Sequence, residues 1–289
     1  MSFFRFPPFP KIFLCIPLIA LIFVLLVWPL ALLAVRSVQE GSNILGEGAV
    51  GSGLTLANYI RIVADPLYRE ALLHSLGLSF IVACSSIFLC LAPAWLFVRK
   101  EFPGKRLVRA LFALPMSFSG VIVGFLVIIM LGRIGFVPKF FEGVIGTPLF
   151  SGAAYQFIGL YIAYVYFEIP RATLTLESSL RKFDFQLEAA ARSLGAGRWQ
   201  RLFFVMLPLM WPALISTFAV TFCVSLGSFG VALIISRRFS LLPLEIYQEF
   251  TGFLNNELAA AMSITLVTIA FLVNYSLALW RVRREPVHA

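Results

Sequence analysis

The sequence predicts an all-α membrane protein, with about six transmembrane helices in one bundle and a short cytoplasmic helix outside it. Three observations carry the fold class. First, 60% of the 289 residues are hydrophobic and 13% are charged, a composition that excludes an ordinary soluble domain. Second, the apolar residues, 30 Phe among them, form runs close to the roughly 20 residues needed to cross about 30 Å of hydrocarbon. The alternating segments of a barrel are missing, and a helix is the other way to satisfy the backbone in lipid. Third, with the N-terminus inside, sixteen Lys and Arg fall on inner segments and seven on outer ones, which sets both termini in the cytoplasm. The net charge of +9 therefore reads as topology, and no nucleic-acid motif accompanies it.

The run at 12–35 is too long for a secretory signal core and lacks a small-x-small cleavage site, so it reads as a retained first span. In the outer loop that follows, 36–75, the first half is rich in Gly and Ser. The second half, 56–73, has a helical pattern (Leu56, Tyr59, Ile60, Val63, Leu67) suited to lying on the outer face. Span two covers 76–98, and a basic turn with Phe102-Pro103-Gly104-Lys105 leads to span three at 110–131. Gly135, Pro138, Gly143, Gly146 and Pro148 break the next outer loop. Span four, 152–169, is the shortest. Spans five and six are placed at 209–235 and 258–279, with a partly helical outer segment at 242–247. Trp28, Trp95, Trp211 and Trp280 fall near predicted span ends, where an amphipathic ring prefers to sit. Cys15, Cys84, Cys90 and Cys223 have no metal-ligand spacing, and His74 and His288 lack partners, so no metal site is expected. Residues 1–289 read as a single transmembrane domain.

One segment does not belong in lipid. From Asp184 to Trp199 the chain reads DFQLEAAARSLGAGRW. Asp184 is placed as an N-cap, Glu188 and Arg192 stand at i, i+4 in the favourable order, and Gly195 closes the helix cheaply. Leu187, Ala190, Ala191 and Leu194 make a narrow apolar stripe. Ala196-Gly197 then turns the chain, a second amphipathic helix runs from Arg198 to Val205, and Pro208 marks the entry into span five. Physical chemistry alone leaves two readings open: a docking surface for a soluble partner, or a helix lying on lipid head groups.

Glu-Ala-Ala, a glycine, nine residues, Val205, one residue and Leu207-Pro208 resemble the EAA loop in membrane subunits of binding-protein-dependent ABC importers, type I. The second half of the pattern matches in full. Counting back from Gly195, the family's Glu position falls on Ala189, with Glu188 one residue earlier, so a salt bridge of the family Glu is either absent or made by Glu188 at an altered angle. Phe102-Pro103-Gly104-Lys105-Arg106, Ala113-Leu114-Pro115 and Leu242-Pro243-Leu244-Glu245-Ile246-Tyr247 add to the resemblance, which covers about 56–279 and looks most like the polyamine, phosphonate, ferric-ion and thiamine branch. It implies a coupling loop at 184–208, with Leu187, Glu188, Ala189, Ala190, Arg192, Gly195 and Ala196 seated against a separate ATPase subunit that binds the ATP. It further implies a second permease subunit, identical or not, a periplasmic substrate-binding protein, and a location in the bacterial inner membrane.

The predicted spans hold almost no ionisable residue. Glu168 is the nearest, and reads as an interfacial cap or cytoplasmic contact. Ion-coupled transport needs titratable groups at depth, so a stand-alone secondary transporter or channel is the weaker alternative. The chain has no GxxxxGK[ST] phosphate loop and no nucleophile–base pair, so no catalytic residue and no cofactor of its own are assigned. Two runs of small and hydroxyl residues are candidates for the pathway: Ser117, Phe118, Ser119 and Gly120 in span three, and Ser225, Gly227, Ser228 and Phe229 in span five. Phe118 and Phe229 are the candidate gates, although small residues in membrane helices more often serve helix contact.

Overall fold

The computed structural model describes residues 17, 20–39, 53–148, 150–181, 186–236 and 239–284, the last four of these by backbone alone. Among them the elements are helical, with one isolated bridge between Gln39 and Leu54. In chain order they are α1 Ala20–Ser37, α2 Ala57–Ala64, α3 Pro66–Arg99, α4 Lys105–Ala113, α5 Gly120–Leu131, α6 Phe136–Ile145, α7 Phe157–Leu180, α8 Gln186–Ser193, α9 Arg198–Leu226, α10 Gly230–Ile235, α11 Leu242–Thr251 and α12 Asn256–Arg284. Five stretches are long and apolar enough to cross a membrane: Ala20–Ser37, Pro66–Arg99, Gly120–Ile145, Arg198–Leu226 and Asn256–Trp280. The all-α membrane class holds.

Two compact units divide the chain: residues 1–64 with 246–265, and residues 65–245 with 266–289. In the first, polar side chains tie the end of α1 to α2. Ser37 Oγ shares a 2.8 Å hydrogen bond with Tyr59 Oη, and Asn58 Nδ2 donates to the carbonyls of Ser37 and Gln39.

The second unit is built on α3, α7 and α9. Their contacts are lined by small residues, with Ala94 against Ala172 and Leu176 in one cluster and Ala83 against Phe222 and Leu226 in another. Without a solvent-driven hydrophobic force between helices in lipid, such residues gain association energy by letting backbones approach closely. Pro93, Pro170 and Pro212 lie inside α3, α7 and α9.

Four sequence expectations change. The outer helix expected across 56–73 is split at Asp65, whose carboxylate accepts the amide of Leu67 at 3.0 Å and caps a new helix; the remainder becomes the first turns of the 34-residue α3. Span four extends well past its predicted end at 169 and runs to Leu180 as the 24-residue α7, about 36 Å at 1.5 Å per residue. Span five is not one helix, because α9 ends at Leu226 and α10 begins at Gly230. The separate amphipathic helix from Arg198 to Val205 is instead the first part of α9, which passes through a π-helical stretch at Arg201–Met206 and past Pro208 without a break. Proline near the head of the α-helical segment that follows is tolerated there.

Candidate functional site

Within 186–197 the expected short helix and its glycine closure form; Asp184 lies outside the described residues. Helix α8 ends in two hydrogen bonds, from Ala196 N to the Ala191 carbonyl and from Gly195 N to the Arg192 carbonyl. These are the 6→1 and 5→2 bonds of a Schellman closure, which requires the left-handed φ of +84° found at Gly195. Gln200 Oε1 accepts Gly197 N at 2.8 Å and starts α9 immediately afterwards.

Three of the four stripe residues face outward, and Ala191 is half-buried. Leu187 is 46% exposed and Leu194 88%, with Ala189, Ala190, Arg192 and Gly195 also exposed and Ala196 half-buried. An apolar stripe turned away from its own protein is a surface awaiting cover.

Glu188 points the other way. Its expected i, i+4 partner was Arg192, but it pairs instead with Arg99 at the end of α3, Nη2 to Oε2, at 2.5 Å. The Arg99 guanidinium also lies 5.0 Å over the Trp95 ring, a second contact that orients it. Sequence reasoning missed Arg99 because the two residues lie 89 positions apart and no local pattern links them. Beside this pair lies a groove of about 1620 Å³ whose lining includes Lys100, Arg198, Arg201 and Met210. Its cations outnumber Glu188, the one carboxylate in the lining.

The two runs of small and hydroxyl residues are brought together. The break before α5 carries Ser117, Phe118 and Ser119, with Ser119 Oγ accepting Ile122 N to cap the helix. The break before α10 carries Gly227, Ser228 and Phe229. Beyond the breaks, α5 and α10 meet at Gly120 and Gly230: a Cβ at Gly120 would lie 3.1 Å from Val231 N, and one at Gly230 3.1 Å from Val121 N. Tyr164 Oη on α7 donates to the Ser228 carbonyl at 2.6 Å, satisfying a backbone acceptor that the break leaves open. Ser117, Ser119 and Gly227 are exposed, Phe118, Ser228 and Phe229 half-buried, and Ser225 fully buried.

Glu168 lies inside α7 and is 1% exposed. Arg171 Nη1 donates to its Oε1 at 2.8 Å, while its buried Oε2 has no partner among the described residues. The expectation was an interfacial cap or cytoplasmic contact; the carboxylate is instead enclosed by its own protein, with Arg171 beside it. Its covalent neighbourhood gave no warning, since the burial comes from helices distant in sequence. No cluster of His, Cys, Asp and Glu able to hold a metal ion occurs among the described residues.

Comparison with known proteins fits this geometry. The chain is 34% identical to the molybdenum transport system permease protein ModB of Escherichia coli K12 over 172 residues, 60% of this chain and 73% of the relative. It is 31% identical to the spermidine/putrescine transport system permease protein PotB of the same strain over 236 residues, 80% and 83% of the two chains. Among solved structures, a bacterial ABC transporter involved in import of the polysaccharide alginate superposes with a TM-score of 0.77 at 15% identity, over 96% of this chain and 97% of that one. The inward-facing MetNI methionine transporter superposes with a TM-score of 0.56 at 17% identity, over 75% and 95%. Residues 86–283 match the family model, and the chain belongs to the binding-protein-dependent transport system inner membrane components.

Proposed function

We propose that this permease subunit is driven through α8 by a separate ATPase subunit, which binds and hydrolyses the ATP. The observation that carries the reading is the division of labour on α8. Leu187, Ala190 and Leu194 face outward for a partner, while Glu188 reaches inward to Arg99. A displacement imposed on the outer face then reaches α3 through an ion pair and α9 through the short Ala196-Gly197 turn. Those are two of the three helices of the second unit's core. The cationic groove beside Glu188 favours an acidic rim on the partner.

The complete transporter on this reading contains two ATPase subunits, a second permease, identical or not, and a periplasmic protein that delivers a small solute from outside. Both termini of this chain face the cytoplasm, and α7 serves as the fourth span. Between permease subunits the solute passes the breaks at 117–119 and 227–229, with Phe118 and Phe229 as gates. The relatives' names give molybdenum for one and spermidine and putrescine for another, cargoes of unlike chemistry. An uncharged Ser, Gly and Phe lining accommodates either, and selection then falls to the delivering protein.

The test is affinity purification of the tagged chain in mild detergent beside a Gly195→Trp version. A nucleotide-binding ATPase that accompanies the wild type and is lost with the variant supports the reading. Its absence from both preparations would overturn it, and association unaffected by Gly195→Trp would remove α8 from the contact.

A further inference from the structure

A second charged site lies apart from the docking helix. A pocket of about 360 Å³ opens where the turn after α3 enters α4, closed on the far side by the end of α7. Among the described residues four cations line it, Lys105, Arg106, Arg109 and Arg181, against the single carboxylate of Glu101.

The charges are only partly cancelled. Lys105 Nζ donates to Glu101 Oε1 at 2.6 Å. Arg109 and Arg181 converge on one oxygen of Glu177, Oε1, the Arg181 Nη2 bond measuring 2.8 Å. With both carboxylates counted, four cations against two leave a formal surplus of two positive charges. The buried Nε of Arg109 has no acceptor among the described residues, and no ion pair involves Arg106 among them. The arrangement is a set of donors with fewer acceptors than it can serve.

The surface around the pocket identifies what approaches it. Helix α4 presents Arg106 in its first turn, then Leu107 (66% exposed) and Leu111 (54% exposed), with Leu114 next in line. A short helix with basic residues at its head and bare leucines along the same face suits the boundary between head groups and acyl chains. Pocket and leucines together match a molecule with an anionic head and an apolar tail.

We propose that this pocket binds the phosphate of an anionic phospholipid in the leaflet nearest α8. Arg106 and Lys105 receive the phosphate oxygens, and the acyl chains lie along Leu107 and Leu111. Arg109 and Arg181 are held in place by Glu177, so they supply field and shape more than mobility. Since α7 carries Glu177 and leads into α8, an occupied pocket steadies the segment that bears the docking helix. The lipid assignment rests on the membrane reading of the fold and is independent of which subunit docks on α8.

The experiment uses the full chain with whatever subunits accompany it, exchanged into mixed micelles of phosphatidylglycerol and phosphatidylcholine, with retained lipid counted by native mass spectrometry. Wild type is expected to retain phosphatidylglycerol in preference to phosphatidylcholine. Removing one near-surface charge, Arg106→Gln, should reduce that retention about five-fold. Glu101→Gln, which releases Lys105 from its ion pair, should raise it. Phosphatidylcholine retention should stay constant in both variants, which excludes misfolding as the cause. Equal retention of the two lipids, or no response to Arg106→Gln, would overturn the proposal. So would displacement of phosphatidylglycerol by millimolar inorganic phosphate, which assigns the pocket to the free anion. Displacement on adding the purified ATPase subunit would overturn it as well and assign the pocket to a protein contact.

Discussion

Replacing Gly120 or Gly230 with alanine should separate α5 from α10 and lower stability, whereas the same change at Gly77 should not. At Gly120 the added methyl would sit 3.1 Å from Val231 N and 3.3 Å from Gly230 Cα; at Gly230 it would sit 3.1 Å from Val121 N. These neighbours are backbone, so no rotamer change relieves the contact and the helices must move apart by a few tenths of an ångström. Overpacking of this kind costs about 1–3 kcal/mol. Loss of unfolded-chain entropy returns about 0.4–1 kcal/mol, leaving a net destabilisation of roughly 1–2 kcal/mol. For a chain of this size that is a fall of roughly 2–8 °C in the unfolding midpoint, readable by thermal unfolding in detergent. Gly77 lies inside α3 with nothing within 4 Å of its Cβ position, so alanine there should be neutral or stabilising by up to about 1 kcal/mol. The double variant at 120 and 230 should cost less than the sum of the single ones, because both enlarge one contact. Uptake should fall with the midpoint if the two breaks form the pathway. Wild-type midpoints for Gly120→Ala and Gly230→Ala, or an equal loss for Gly77→Ala, would refute the close-approach argument.

Arg99→Glu and Glu188→Arg should each uncouple ATP hydrolysis from uptake, and the double exchange should restore part of the coupling in a vesicle assay; unequal single effects with no rescue would dissolve the pair. At Gly195 the left-handed φ sets the cost and nothing within 4 Å opposes a side chain, so coupling should decline in the order Gly, Asn, Ala, Val; a ranking by side-chain volume would contradict this. The hydrogen bond from Lys105 holds the Glu101 carboxyl below its ordinary value of 4.5. The stabilisation is therefore present above that value and is lost as pH falls through the depressed one. The protection factors of amides at the start of α4, with the intrinsic pH dependence of exchange divided out, should be flat across neutral and mildly acidic pH and fall only below it, with Glu101→Gln removing the transition. A reporter fused after His288 should read as cytoplasmic, and a periplasmic signal would remove α7 from the count of spans.

Local features of the fold and of the docking helix were legible because their causes are local. The Gly195 closure depends on one residue's freedom at positive φ, and the stripe on α8 depends on a spacing of three and four. The ends of the spans were less legible. Hydropathy finds apolar stretches, but helices continue until something stops them: a carboxylate cap at Asp65 starts α3 well before the apolar run, and α7 outlasts its own run to Leu180. The division of span five at Gly227–Phe229 was hidden for the opposite reason, since the segment is apolar throughout and only tertiary contacts, Tyr164 to the Ser228 carbonyl among them, support the interruption.

The ionic contacts were the least legible part, and they decide how α8 is connected. Every charged side chain of α7 from Glu168 to Glu177 has a partner: Glu168 with Arg171, and Glu177 with both Arg109 and Arg181. Glu177 with Arg109 joins α7 to α4, and Glu188 with Arg99 joins α8 to α3. A carboxylate near the end of a span is costly unless a cation meets it, so the basic residues counted for topology have a second role as counter-charges. Arg99 shows why this matters for transport. At 35% side-chain exposure, and facing a carboxylate that is 13% exposed, it is screened too little to be an inert surface pair and too much to be a rigid buried one. On the function proposed above, it is this pair that would carry a displacement of α8 to α3. Glu188, one residue out of the family register, still meets a guanidinium, because Arg99 at the end of α3 stands within its reach.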